Sequence, residues 1–142
     1  MNFVSAMMII AATAHSGEPT DYKTAYHCAM NCNKPLLVLV TAEWCPPCQK
    51  MKSTTIPAMI KDKKFSGVLF ATVDLDKDAK IARKLIGTRG VPQLVLFEKK
   101  HDEWSVKYLA GAQSVASVEK FVGYTAPLPS PLRTAQADAI NK

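Results

Sequence analysis

The chain has 142 residues, of which 48% are hydrophobic and 21% are charged, and its formal net charge is +6. This size and apolar content predict one globular domain with a substantial core and exclude disorder over most of the length. The basic residues are scattered among acidic ones without a nucleic-acid-binding motif, so we expect a solvated surface and no nucleic acid partner. No segment reaches the roughly 20 apolar residues of a membrane span.

The N-terminal stretch from Phe3 to Ala14 is uncharged and mostly apolar, and it ends in the small-residue pattern Ala12-Thr13-Ala14. This pattern predicts a bacterial export signal in residues 1–16, cut after Ala14 or a residue or two later, and therefore a periplasmic protein. Because the stretch has no lysine or arginine, an N-terminal strand or helix of a cytoplasmic protein stays the alternative.

The hydrophobic pattern of the remaining chain predicts one folded domain over residues 18–124 and a flexible, proline-containing tail over residues 125–142. The predicted elements are, in chain order, a helix from Thr20 or Asp21 to about Met30, a strand over 36–42, a helix over 46–52 that Pro57 breaks or kinks before 58–60, a strand over 68–73, a helix over 79–86, strands over 93–97 and 104–109 joined by a charged hairpin loop over 98–103, and a helix over 114–124.

This order of elements predicts an α/β domain with a central, mixed, four-stranded sheet flanked by helices. A crossover helix joins the first two strands, which should therefore be parallel. A short loop joins the last two strands, which should therefore be antiparallel.

The motif Trp44-Cys45-Pro46-Pro47-Cys48 follows the first predicted strand. Two cysteines at this spacing can form a dithiol–disulfide couple, in which one thiolate attacks a partner's disulfide and the second cysteine resolves the mixed disulfide. A helix that begins after Cys45 favours a thiolate there, because its unpaired N–H groups and its dipole stabilise negative charge. Pro46 and Pro47 suit the first turn, where the N–H groups have no intrahelical partner to lose.

Together with Gly90-Val91-Pro92 before the third predicted strand, this motif resembles the thioredoxin superfamily. The lead-in over residues 41–45, the segment over 73–76 and Gly111 before the last helix are similar in order and spacing, and the likeness covers roughly residues 21–124. The resemblance implies a thioredoxin fold and thiol–disulfide exchange that needs no bound cofactor.

The resemblance also implies roles for individual residues. Cys45 corresponds to the partly exposed nucleophile, Cys48 to the buried resolving cysteine and Trp44 to the aromatic residue that flanks the site. Pro92 corresponds to a cis-proline beside the disulfide, which leaves the backbone of Val91 to pair with an extended substrate segment. Trp44, Val91 and Pro92 are therefore the expected substrate-binding residues, and we expect no metal in the site.

Two positions depart from the pattern of typical cytosolic thioredoxins. Leu39 stands where those proteins have a buried aspartate, and Thr72 stands where they have the lysine that pairs with it. Proton transfer from Cys48 then needs another route, either water or the side chain of Glu43, although a glutamate is usually solvated. The direction of electron flow stays open, since potentials in the family range from about −270 to about −120 mV.

Cys28 and Cys32 lie four residues apart on one face of the first predicted helix. We interpret them as buried, small apolar side chains, with a second redox pair or a metal site as alternatives. With Cys45 and Cys48 they have a spacing within reach of structural zinc, but the apolar segment between the two pairs disfavours such a site.

We therefore predict an exported, monomeric, thioredoxin-like protein disulfide oxidoreductase. Its partners are cysteine-containing protein substrates and an unidentified redox partner. A redox-inert thioredoxin-like module that binds proteins in the same groove is the alternative function, and a zinc-stabilised domain is the less favoured one.

Overall fold

The computed structural model describes residues 20–123, so the predicted export signal and the predicted tail lie outside the described residues. Its elements are α1 (Tyr22–Cys32), β1 (Leu36–Thr41), α2 (Pro46–Lys50), a π-helical turn (Met51–Thr55), α3 (Ile56–Lys61), β2 (Leu69–Asp74), α4 (Ala79–Ile86), β3 (Gln93–Lys100), β4 (Glu103–Ala110) and α5 (Val115–Val122). None of the helices over residues 20–123 combines the length and the apolar character that crossing a membrane requires.

The four strands form one mixed sheet in the order β2-β1-β3-β4. Strand β1 pairs with β2 in parallel and with β3 in antiparallel orientation, and β3 and β4 are antiparallel. The predicted four-stranded mixed sheet and both predicted strand pairings are therefore confirmed. All six residues of β1 are buried, as expected for a strand with neighbours on both edges and helices on both faces.

Alternate residues of β1 serve two separate cores, because successive side chains of a strand point to opposite faces. Val38 and Val40 pack on one face with residues of α1 and α4. Leu37 and Leu39 pack on the other face with residues of the α2–α3 segment and of α5. Burial of each such side chain contributes about 1.5–3 kcal/mol, so the two cores hold β1 at a fixed depth and fix where its carboxyl end emerges.

The first and last helices begin at side-chain caps. Asp21 caps α1, and its Oδ2 accepts a hydrogen bond of 3.2 Å from the N–H of Thr24. Ser114 caps α5, and its hydroxyl accepts one of 3.2 Å from the N–H of Ser117. Such caps satisfy N–H groups that have no intrahelical partner, and here they place both helix starts where the sequence predicts them.

The break or kink predicted at Pro57 takes the form of a π-helical turn, and the helix does not end there. The chain stays helical from Pro46 to Lys61, and the N–H of Ile56 donates to the carbonyl of Met51, five residues back. Pro57 then lies in the first turn of α3. Proline has no N–H to donate, and its ring crowds the preceding turn of a regular α-helix. The wider π-helical turn before Pro57 relieves this crowding.

The prediction of a charged loop over residues 98–103 is wrong, because the loop is much shorter. Strands β3 and β4 continue to Lys100 and Glu103, and only His101 and Asp102 form the turn, with φ of 49° and 67°. Positive φ at both positions is typical of two-residue hairpin turns.

The two strands of this hairpin tolerate charged residues for two reasons. Strand β4 lies at the edge of the sheet, and Glu98 on β3 forms ion pairs with two lysines. The Oε1 atom of Glu98 lies 3.2 Å from Nζ of Lys100 and 2.5 Å from Nζ of Lys107. Burial raises the pKa of Glu98, but hydrogen bonds from Lys107 and Lys100 and their charges outweigh burial and lower it overall.

Candidate active site

Cys45 and Cys48 form a disulfide at the start of α2, with their Cα atoms 5.2 Å apart. Strand β1 ends at Thr41, and Cys45 is the N-cap of α2. Its Sγ accepts a hydrogen bond of 3.3 Å from the N–H of Cys48, and Pro46 and Pro47 form the first turn. The predicted helix start is confirmed, and the same N–H group is placed to stabilise a thiolate on Cys45 when the pair is reduced.

The disulfide is enclosed by apolar side chains. Cys45 is 4% exposed and Cys48 is fully buried, and the pair packs with Ala42, Leu75 and Val91. The oxidised nucleophile is thus more enclosed than the partly exposed cysteine that the resemblance implies. In the turn before α2, the N–H of Cys45 donates a hydrogen bond of 3.4 Å to the carbonyl of Ala42, which keeps the two residues close together.

Leu75 is a site residue that the sequence analysis did not identify. It follows β2, and its N–H donates to the carbonyl of Thr41 at 2.7 Å. The parallel pairing predicted for the first two strands could have identified Leu75, because the carboxyl ends of parallel strands lie at the same edge of a sheet. The residue after β2 therefore lies next to the residues that follow β1.

The second predicted part of the site lies immediately before β3. The Val91–Pro92 peptide bond is cis, Pro92 is buried and Val91 is half-buried against the disulfide cluster. The carbonyl of Pro92 accepts a hydrogen bond of 2.9 Å from the N–H of Gly111. Trp44 is 65% exposed, so its ring contributes a large apolar surface beside the cysteines rather than to the core.

A groove of about 500 Å³ extends from Val91 and Pro92 along the end of β4. Its remaining lining residues are Arg89, Gly90, Gln93, Tyr108, Ala110 and Gly111. The guanidinium carbon of Arg89 lies 4.1 Å from the centre of the Tyr108 ring. Arg89 and Tyr108 were not identified from the sequence, although the proximity of Arg89 to Gly90-Val91-Pro92 is a signal for it.

A hydrogen-bonded link joins the α2–α3 segment to the wall of this groove. The buried hydroxyl of Thr55 in the π-helical turn donates to the carbonyl of Gln113 at 2.9 Å. The side-chain amide of Gln113 donates to the carbonyl of Ala110 at 2.7 Å. Because Ala110 lines the groove, the helix that carries the cysteines and the groove are connected through one polar residue.

The positions that depart from typical thioredoxins lie side by side. Leu39 and Thr72 are direct partners in the β1–β2 register, and Leu39 is fully buried in the core. Glu43 has a largely exposed side chain, and its Oε1 lies 2.5 Å from Nζ of Lys77. The hydrogen bond and the charge of Glu43 raise the pKa of Lys77. Glu43 is thus solvated and paired.

Cys28 and Cys32 are both exposed, so their interpretation as buried side chains is wrong. They lie on α1, which ends before β1 begins, whereas Cys45 follows the end of β1. A six-residue strand spans about 20 Å, so the two cysteine pairs lie near opposite ends of the sheet. Partial burial and a hydrogen bond with Cys32 raise the pKa of the Cys28 thiol.

The four cysteines do not converge on one site. Within residues 20–123, no three histidine, cysteine, aspartate or glutamate side chains are grouped as ligands of a metal ion. The arrangement of a zinc site built from both cysteine pairs is therefore not present in the described part of the chain.

The sequence model of the thioredoxin family matches residues 19–123. A mutant thioredoxin from Halobacterium salinarum is 27% identical, with 82% of this chain and 99% of that chain covered and a TM-score of 0.59. A thioredoxin from Thermus thermophilus is 23% identical, with coverages of 76% and 85% and a TM-score of 0.62. One from Trichomonas vaginalis is 23% identical, with coverages of 75% and 92% and a TM-score of 0.56. No curated protein matches the chain.

Proposed function

Since the chain belongs to the thioredoxin family, we propose that it exchanges disulfides with cysteine-containing proteins through Cys45 and Cys48. The observation that carries this proposal is the Cys45–Cys48 disulfide at the first turn of α2, packed against Val91 beside the groove. A thiol–disulfide couple needs two sulfurs within bonding reach and a nucleophile that is stabilised as a thiolate. The first turn of α2 brings the two sulfurs together, and the N–H of Cys48 donates to the sulfur of Cys45.

In the reducing direction, the thiolate of Cys45 attacks one sulfur of the partner's disulfide. A mixed disulfide forms, and the other partner sulfur leaves as a thiolate that takes up a proton. The thiolate of Cys48 then attacks Sγ of Cys45, which releases the second partner thiol and forms the Cys45–Cys48 disulfide. Two electrons have passed to the partner, and an external dithiol must reduce the pair again. The oxidising direction is the reverse of these steps.

The substrate docks as an extended segment along the groove. Val91, a half-buried residue, lies just before β3, and pairing with its backbone places a partner cysteine beside Cys45. The exposed ring of Trp44, which precedes Cys45 in the chain, supplies further apolar contact. This geometry favours a polypeptide over a small thiol as the substrate.

A trapping experiment tests the proposal. With Cys48→Ala, the mixed disulfide formed by Cys45 cannot be resolved, so a partner disulfide protein should accumulate as a covalent adduct that dithiothreitol releases. The matched control is Cys45→Ala, which lacks the nucleophile and should trap nothing. Both variants carry Cys28→Ser and Cys32→Ser, because these exposed thiols could form adducts of their own.

Partners that bind Cys48→Ala without any covalent adduct would contradict thiol exchange and support the redox-inert module. Partners trapped by both variants to the same extent would show that Cys48 attacks partners as readily as Cys45, and would contradict the assignment of Cys45 as the nucleophile.

We also propose that the protein is exported and acts as a monomer. The support for export is the uncharged apolar stretch that ends in Ala12-Thr13-Ala14. Mass spectrometry of the protein purified from cells that express the whole sequence should show a chain that begins after Ala14 or a residue or two later. An intact N-terminus would support the cytoplasmic alternative, and gel filtration measures the oligomeric state.

A further inference from the structure

Arg89 lies between two hollows, and each hollow has one wall that touches the disulfide. The groove contains Val91, which packs on the cysteines. A second hollow, of about 420 Å³, contains Leu75, which also packs on the cysteines. Arg89 lines both hollows, so a segment that occupies either hollow while its cysteine lies beside Cys45 is within reach of this side chain.

The guanidinium group of Arg89 is held in place but is not neutralised. Its face lies over the Tyr108 ring, and its Nη1 donates to the carbonyl of Ile86 at 3.3 Å. No carboxylate of residues 20–123 forms an ion pair with it. Stacking on the ring occupies one face and leaves the edge of the guanidinium, with its remaining N–H donors, for another acceptor.

The charges around the two hollows favour an anionic ligand. Arg83 and Arg89 line the second hollow, where Asp76 is the acidic residue among the lining side chains. Among the lining residues of this hollow two positive charges therefore face one negative charge. A guanidinium fork matches a carboxylate through two parallel hydrogen bonds.

We propose that Arg89 binds the side-chain carboxylate of an aspartate or glutamate that lies close to the reacting cysteine of a docked polypeptide. This assignment rests on the proposed function, because the acidic residue reaches Arg89 only when its neighbouring cysteine is beside Cys45. The preferred substrates are then disulfide-bonded polypeptides with an acidic residue within about four positions of the cysteine, since each extended residue spans about 3.3 Å.

Matched peptide substrates test the assignment. Each is acetylated and amidated to remove the terminal charges, contains one disulfide, and carries either glutamate or glutamine one to four residues from a cysteine. Dithiothreitol recycles the enzyme, and kcat/KM is measured at low and at high salt. At the best position, kcat/KM for the glutamate peptide should exceed that for the glutamine peptide about fivefold, which is near the upper limit for an exposed ion pair. High salt should reduce this ratio.

The ratio should fall to about one with Arg89→Gln. The matched control is Lys84→Gln, which removes the same charge from an exposed residue of α4 that lines neither hollow, and which should keep the ratio. Arg89→Lys should lose most of the preference for the glutamate peptide, because lysine keeps the positive charge but cannot form the two parallel hydrogen bonds of a guanidinium group.

Equal rates for the two peptides at every position with the wild-type chain, or a ratio that survives Arg89→Gln, would overturn the assignment and leave the proposed function standing. A wild-type chain that neither reduces the two disulfide peptides nor, as its disulfide form, oxidises their reduced dithiol forms would contradict the proposed function itself.

Discussion

Replacing Thr55 with valine should destabilise the domain by about 1–2 kcal/mol. Valine has nearly the same shape, but it removes the hydroxyl that donates to the carbonyl of Gln113 at 2.9 Å. Thr55 is only 8% exposed, so little water reaches its hydroxyl, and loss of a buried partner costs about 1–3 kcal/mol. Because this hydrogen bond is only partly buried, the lower half of that range applies.

Urea denaturation followed by tryptophan fluorescence measures this change, and thermal unfolding should show a fall of about 4–8 °C for each kcal/mol. The matched control is Thr54→Val in the same π-helical turn, where the hydroxyl donates to the carbonyl of Lys50 at 2.6 Å on the exposed face. That change should stay within about 0.5 kcal/mol of the wild type. Equal losses for the two variants would refute the argument, because only Thr55 bonds outside its own helix.

Three further outcomes follow from the structure. Phe70→Ala should cost about 3–5 kcal/mol in urea denaturation, because Phe70 is 1% exposed and its ring stacks on another at 5.0 Å; a loss below about 1 kcal/mol would contradict this packing. Glu98→Gln should destabilise the protein at pH 7, and the loss should shrink as the pH falls below 4.5. The lowered pKa of the Glu98 carboxyl stabilises the fold above its unfolded value of 4.5, and this contribution is lost as the pH falls through the folded value; a loss that does not change between pH 7 and pH 3 would argue against the ion pairs. Iodoacetamide should modify Cys28 and Cys32 in the native oxidised protein, with Cys28 requiring a higher pH than an ordinary thiol, and peptide mass mapping without modification at either position would show that they are not accessible.

Much of the fold was predictable because local signals and the tertiary structure agree. The helix α4 occupies the predicted residues 79–86, where apolar side chains at helical spacing pack on one face of the sheet. Strand β1 is buried along its whole length, which matches its continuous apolar run. The parallel and antiparallel pairings followed from the lengths of the connections alone.

The structure differs from the expectations where one local signal outweighs another. At Pro57 a break or a kink is predicted; the irregularity there is a π-helical turn, a form that nothing in the neighbouring residues indicates. The charges after Phe97 suggested a loop, but an edge strand tolerates charge, and Glu98 has two lysine partners. Cys28 was expected to be buried because cysteines usually are, whereas it lies on the exposed face of α1.

The cysteine motif and Pro92 were predictable because they are contiguous patterns. The contacts between distant segments were not. Thr55 and Gln113 are 58 residues apart, and no pattern in the sequence pairs them. The same holds for Arg89 and Tyr108, whose stacking depends on how β4 lies beside β3.

The small accessible surface of the disulfide has a kinetic consequence. Exchange requires a thiolate to reach a sulfur, and Cys45 offers only 4% of its surface while Trp44 beside it offers 65%. A small thiol gains nothing from the exposed ring and must find the narrow approach by random collision. A docked polypeptide holds its cysteine at that approach, which raises the effective concentration of the attacking sulfur. Under the proposed function, the protein therefore discriminates between redox partners by how long they stay bound to its surface, not by their abundance.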